Sequence, residues 1–165
     1  MMRSGSFTTR SGGLGRVKAL ATALAVLVVP AMACGSDPFA PQVIEEVEFF
    51  AGLGIDLSTM TKLPSGVYIL DDTVGTGTVL ANATVSVQID HTGWLADGTP
   101  FSSGVFTAVY PSGFVPGFSI GMEGMAVGGQ RLMIIPPALA YGNAGTGPIP
   151  PGAVLIFEVE LLGVS

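Results

Sequence analysis

Reactive side chains are scarce in this chain. Its 165 residues include one histidine, His91, and one cysteine, Cys34, against twelve carboxylates and six basic residues. Nothing in their spacing pairs a nucleophile with a base and an orienting group, so bond cleavage by covalent catalysis is not what these residues suggest. Asp71 and Asp72 sit together at a strand end without further oxygen ligands nearby, and read as solvated carboxylates rather than as cation ligands. Gly75-Thr76-Gly77 is not a phosphate loop, because no helical pattern follows it. No metal or cofactor motif is found. The polar group in the most constrained setting is the hydroxyl of Tyr141, which lies in IIPPALAYG and is followed by a glycine-rich loop and GPIPPG. Neither Pro136 nor Pro137 has an N–H to donate to a sheet ladder, so the chain must leave the sheet there. A rigid loop then presents Tyr141 and Ile149 between two strands.

Those strands are legible from their alternation. From Ala153 to Leu162, Leu155, Phe157, Val159 and Leu161 share one face while Glu158 and Glu160 share the other. Gln130 to Ile135 forms the strand before the prolines. Between Thr84 and His91 the residues Val85, Val87, Ile89 and His91 fall in phase, which puts the only histidine on the core face. Asp97-Gly98 is a hairpin signal that brings Phe101 back beside the strand carrying His91. Leu63-Pro64-Ser65-Gly66 breaks the chain before a short strand from Val67 to Asp71. Gly113 to Val127 is the central helix candidate, with Pro116 in its first turn and Phe118, Met122 and Met125 along one face. Gly117, Gly121 and Gly124 each cost about 1 kcal/mol relative to alanine, so this helix persists only by packing on a sheet. The inventory gives an α+β domain in which an antiparallel sheet folds over one short central helix.

The front of the chain reads as an address. Arg3, Arg10, Arg16 and Lys18 precede an apolar run from Ala19 to Val29, too short to span a bilayer, and then Pro30-Ala31-Met32-Ala33-Cys34. Residues 1–33 are therefore expected to be a signal peptide. The last residues resemble a bacterial lipobox, with Ala31 in place of the usual leucine, which implies a mature protein beginning at a lipidated Cys34. Ordinary cleavage after Ala33 would instead leave a free thiol. Cleavage leaves two basic and twelve acidic residues, a net charge of −10, which argues against nucleic acid as a partner and assigns any membrane attachment to the lipid. Residues 34–62 are expected to form a tether and a helix of about three turns over Pro41 to Ala51, where Val43, Ile44, Val47 and Phe50 recur at helical spacing. The helix is expected to pack on the domain or on a neighbouring copy.

Four motifs carry a family resemblance: HTGWLADGTPF (His91 to Phe101), FVPGF (Phe114 to Phe118), GGQRLMIIPPALAYG (Gly128 to Gly142) and IPPGAVLIFEVELL (Ile149 to Leu162). In this order they resemble an FKBP-type peptidyl-prolyl cis-trans isomerase, over about Pro64 to Gly163, within an expected domain of residues 63–165. The resemblance implies a five- or six-stranded antiparallel sheet wrapped around the helix near Phe118, with a pocket between helix and sheet. It places Phe118 at the pocket floor, Phe101 and Phe157 at its aromatic walls and the Val115 backbone toward substrate. It also makes the Tyr141 hydroxyl a donor to a substrate carbonyl and puts Ile149 on the rim. Phe114 joins the substrate-binding set, and Phe106 is a further wall candidate. The implied partners are proline-containing polypeptides and, as for the family, a macrolide ligand.

Three departures from the family pattern fall on one side of the pocket. His91 stands where the family has a tyrosine, Ser102 stands where it has an aspartate, and the arginine partner of that aspartate is missing from a shortened segment before Phe106. Losing both members of an ion pair leaves no buried charge alone. His91 reads as a neutral, hydrogen-bonded residue rather than a base, since rotation about an amide has no obligatory proton transfer. The leading expectation is an exported isomerase acting on X-Pro bonds. The alternative is a binding or chaperone module with weakened catalysis.

Overall fold

The computed structural model describes residues 40–81 and 83–165. The expected signal peptide and Cys34 lie outside the described residues. Six strands form one antiparallel sheet: β1 (Thr61–Lys62), β2 (Tyr68–Thr73), β3 (Val85–Leu95), β4 (Pro100–Tyr110), β5 (Gln130–Ile135) and β6 (Leu155–Val164). Their spatial order is β1-β2-β5-β6-β3-β4, so β4 is an edge. The sheet starts at Thr61, just ahead of the expected domain start at residue 63. The turn between β3 and β4 is built as its residues suggest. Gly98 takes φ 84°, its N–H reaches the Leu95 carbonyl at 3.0 Å, and the Asp97 carboxylate accepts from Thr99 N–H at 2.9 Å.

Among the described residues one α-helix forms, α1 (Pro116–Met122), and it packs against β5. It is shorter than the expected Gly113 to Val127, and its glycines have a packing role. A Cβ on Gly117 would stand 2.3 Å from Ile135 Cγ2, and one on Gly121 would stand 2.4 Å from Met133 Sδ. Only glycine lets α1 approach β5 this closely, which trades helix propensity for contact. The face between α1 and the sheet is the main core, built from Val87, Ile89, Phe118, Met122, Met133, Leu155, Val159 and their neighbours.

Side-chain bonds hold α1 at its middle and at its C-terminal end. Ser119 Oγ donates to the Pro111 carbonyl at 2.9 Å, and Tyr110 Oη donates to the Ser119 carbonyl at 3.2 Å. At the C-terminal end Arg131, 6% exposed on β5, donates through Nη1 to the carbonyls of Gly121 at 2.8 Å and Glu123 at 3.1 Å. Its Nε and Nη2 take Asp71 in a two-point contact at 2.7 and 3.0 Å. The expectation that Asp71 is merely solvated is corrected here. β2 pairs with β5 so that Asp71 lies opposite Arg131, and a buried guanidinium requires a counter-charge.

The expected helix over Pro41 to Ala51 is not formed. The segment is extended apart from single 3-10 turns at Ile44–Glu46 and Ala51–Leu53. Its backbone is taken by the sheet's neighbours instead: Gln42 N–H donates to the Gly152 carbonyl and Phe50 N–H to the Ala96 carbonyl, both at 2.8 Å. Gln42 Oε1 accepts from Val154 N–H at 2.7 Å. An isolated helix this short is marginal, so tertiary bonds decide its conformation. The segment covers the outer face of the sheet, where Ile44, Met60, Tyr68, Ile134, Val154 and Ile156 form a second buried cluster. Packing on the domain was expected of this segment, and it occurs without the helix.

Candidate active site

Between α1, the strands β3, β4 and β6 and the loop after β5 lies a cavity of about 410 Å³. All nine residues singled out as site candidates line it: His91, Phe101, Ser102, Phe114, Val115, Phe118, Tyr141, Ile149 and Phe157. They come from four separate stretches of sequence, and only the closed fold brings them within reach of one ligand.

The interior is a cluster of aromatic rings. Phe118 and Phe157 are 4% and 6% exposed and meet edge to face with centroids 4.9 Å apart. Phe101 packs edge to face on Phe157 at 5.4 Å, and Phe114 stacks on Phe118 at 4.9 Å with the planes 4° apart. Edge-to-face contacts set positive ring edges on negative ring faces, which adds orientation to area burial. Phe118 is held at the bottom because α1 is pinned at Ser119, next to it, and at its C-terminal end. Phe157 is held because β6 is paired on both sides, by β3 and β5.

The rim is more polar. Val115 caps α1, and its carbonyl accepts from the N–H groups of Phe118 at 3.0 Å and Ser119 at 3.2 Å. The N–H of Ile149 is spent on the Thr146 carbonyl at 2.8 Å in a closed turn, so Ile149 offers the cavity its apolar side chain. Tyr141 is 39% exposed, at the cavity mouth.

His91 and Ser102 satisfy one another. His91 Nδ1 lies 2.7 Å from the Gly104 carbonyl, and Nε2 lies 2.7 Å from Ser102 Oγ. A carbonyl can only accept, so Nδ1 carries a proton, and in the neutral ring Nε2 accepts the hydroxyl proton of Ser102. The ring also packs edge to face on Phe106, centroids 5.0 Å apart. His91 is thereby a wall oriented by two hydrogen bonds. Phe106 completes that wall and lines the cavity.

Beside Gly113, which also lines the cavity, two contributors were not singled out by residue from the sequence. The first is the Thr146-Gly147-Pro148 turn, which lines the mouth. The second is Gly93, which lies under two pocket rings: a Cβ there would stand 2.8 Å from both Phe101 Cζ and Phe157 Cε1. Its place between Thr92 and Trp94 in the strand pattern was the available signal, because glycine inside a strand often marks close approach.

The arrangement is an apolar, aromatic cavity whose one hydroxyl–imidazole pair, Ser102 with His91, is oriented by the neutral Gly104 carbonyl and not by a carboxylate. The model of the FKBP-type peptidyl-prolyl cis-trans isomerase domain matches residues 77–162. The chain belongs to this family. Among its FKBP relatives, the FKBP-type peptidyl-prolyl cis-trans isomerase FkpA of Aeromonas hydrophila is 40% identical over 105 residues, 61% of this chain and 39% of that protein. The chloroplastic peptidyl-prolyl cis-trans isomerase FKBP16-4 of Arabidopsis thaliana is 33% identical over 121 residues, 66% of this chain and 52% of that protein. The chain thus spans about half or less of these relatives' lengths. The crystal structure of FkpA from Escherichia coli superposes with a TM-score of 0.62 at 28% identity, covering 70% of this chain and 55% of that one. That of AtFKBP13 gives 0.59 at 30% identity, covering 64% and 98%. The six-stranded antiparallel sheet over a short helix is therefore the FKBP fold.

Proposed function

We propose that this chain accelerates cis-trans rotation about X-Pro bonds in exported polypeptides, using the aromatic cavity as its active site. The observation that carries this reading is a cavity of about 410 Å³ with Phe118 at its bottom and Tyr141 at its mouth. Its volume falls in the range of small-molecule sites, with room for a proline ring and its flanking groups. Rotation is opposed by about 18–20 kcal/mol of amide resonance. The planar amide is the more charge-separated form, so a site that strips water from it favours the twisted form, and each 1.4 kcal/mol or so of such preference is worth about tenfold in rate. In this reading Phe118, Phe157 and Phe101 hold the proline ring, Phe114 and Ile149 close the sides, and the Val115 backbone and the Tyr141 hydroxyl hold the flanking carbonyls. Ser102 and His91 orient the opposite wall without transferring a proton. A macrolide ligand would occupy the same cavity and compete with substrate.

The test is cis-trans relaxation of a proline tetrapeptide with the chain from Gly35 onward and with Tyr141→Phe. Acceleration over buffer, reduced about tenfold in kcat/KM by the loss of one transition-state hydrogen bond, supports the reading. No acceleration would leave a binding or chaperone module, a reading favoured by the mutual pairing of His91 and Ser102. We propose further that residues 1–33 direct export and that Cys34 carries a lipid holding the protein at a membrane of the cell envelope. A mass for the mature N-terminus showing an unmodified cysteine would refute the anchor.

A further inference from the structure

Among the described residues no strand pairs with the outer edge of β4, and its hydrogen-bonding pattern can be worked out residue by residue. Ser86 exchanges both backbone hydrogen bonds with Ser165, at 2.7 and 2.8 Å, so its N–H and C=O point toward β6 and away from β4. Alternation along an antiparallel strand then turns Val87, Ile89 and His91 toward β4. Their register partners are Ala108, Phe106 and Gly104, with no irregularity between Val85 and Gly93. The residues between them, Ser103, Val105 and Thr107, must point their N–H and C=O groups outward. Val109 also points outward, but its carbonyl accepts Gly113 N–H at 2.6 Å, which closes that end. Ser103, Val105 and Thr107 thus keep three donors and three acceptors in a row, and Val109 a further donor, on an exposed strand with Val105 55% exposed. Protection is sparse here: no charged residue occurs from Gly98 to Met122, no proline lies within β4 after Pro100, and the one register shift falls opposite Gly93 and Trp94, before Ser103.

We propose that this edge binds the stretch of substrate polypeptide flanking the proline as an added β-strand. The proposal rests on the isomerase reading and extends it to how the chain on either side of the proline is held. Continuity with the cavity singles out this occupant. Ser102 and Phe106 of the same strand line the cavity, so the open edge is continuous with the site that takes the proline. Edge-to-edge pairing with a second copy of this protein is the competing occupant, and the concentration dependence of edge protection distinguishes it. Backbone pairing to an uncharged edge also reads no side chains, which suits an enzyme whose substrates share only a proline and an extended flank.

The experiment compares a proline tetrapeptide with a decapeptide of the same centre and Thr/Val/Ser flanks, plus a decapeptide N-methylated at alternate flank residues. Edge pairing predicts a decapeptide kcat/KM about tenfold above the tetrapeptide's, the worth of one or two net hydrogen bonds. The N-methylated peptide loses this gain. Val105→Pro removes one outward donor and obstructs the edge without breaking the bond pattern to β3, and brings the ratio of the two peptides to about one. Should that variant fail to fold, the N-methylated peptide decides. Hydrogen exchange at Ser103, Val105 and Thr107 slows when the decapeptide is added. Equal kcat/KM for all three peptides overturns the proposal, as does β4 protection that rises with protein concentration without peptide. Failure to turn over the tetrapeptide refutes the isomerase reading instead, and the edge is then judged by hydrogen exchange alone.

Discussion

Replacing Gly93 by alanine tests whether the aromatic cavity is set by close packing under its walls. Gly93 is buried on β3 opposite Phe157 on β6. Its added methyl would meet Phe101 Cζ and Phe157 Cε1 at 2.8 Å each, where carbon atoms rest at roughly 3.5–4.0 Å, so the rings must withdraw by about 1 Å. Phe157 cannot do so without displacing Phe118, against which it packs at 4.9 Å. Phe101 is only half-buried, so it yields by moving into the cavity. Overpacking of this kind costs about 1–3 kcal/mol, a fall in Tm of roughly 3–10 °C for a domain of this size. Displacing a wall that contacts substrate should lower kcat/KM about tenfold, and up to a hundredfold if the amide is misaligned. The assay is proline-tetrapeptide relaxation well below both melting temperatures, with thermal unfolding in parallel. Gly93→Ala combined with Phe101→Leu, which removes the clashing ring atoms, should recover part of the lost Tm, a coupling that a double-mutant cycle measures. An unchanged Tm and turnover, or strictly additive mutations, would show that the rings are not positioned by Gly93.

Asp71→Ala leaves the Arg131 guanidinium buried with only two carbonyls as partners, and is expected to cost about 1–3 kcal/mol in chemical denaturation, at the lower end because Asp71 is partly exposed. Ile44→Ala, at a site 3% exposed, should cost about 2–4 kcal/mol while leaving KM for a proline peptide unchanged, because Ile44 packs on the face away from the cavity; a shifted KM would argue that the outer layer shapes the site. Glu45 is held down to about 2 by hydrogen bonds from Lys62, first, and Tyr68, second. A depressed carboxyl contributes stability that is present above its ordinary value of 4.5 and is lost as pH falls toward 2. Glu45→Gln should therefore flatten the acid side of the stability-versus-pH curve between those limits, and an unaltered curve would count against the contact.

Much of the cavity was legible before any coordinates, because its residues sit in locally periodic or locally constrained sequence. Phe157 and His91 are in phase with core positions of their strands, Asp97-Gly98 returns Phe101 to that neighbourhood, and Pro136-Pro137 force the loop that carries Tyr141. The misreadings share a cause, which is that a partner distant in sequence overrode a local signal. Helical spacing from Val43 to Phe50 was real, yet backbone bonds to Gly152 and Ala96 hold the segment extended. Asp71 looked solvated because its partner is 60 residues away. Ile156 shares a face with Glu158 and Glu160, which reads as solvent-facing, but it is fully buried because the N-terminal segment covers that end of the outer face.

Local chemistry alone settles where strands begin and turn, since alternation, proline and glycine act within a few residues. It also limits the chemistry, since one histidine and one cysteine cannot supply a nucleophile and base on their own. The tertiary structure decided which strand lies at the edge with its hydrogen bonds unspent, which glycines admit an aromatic ring or a helix at close range, and which carboxylate neutralises the buried arginine. These depend on distances between residues far apart in sequence, and sequence periodicity carries no information about which of two compatible surfaces will meet.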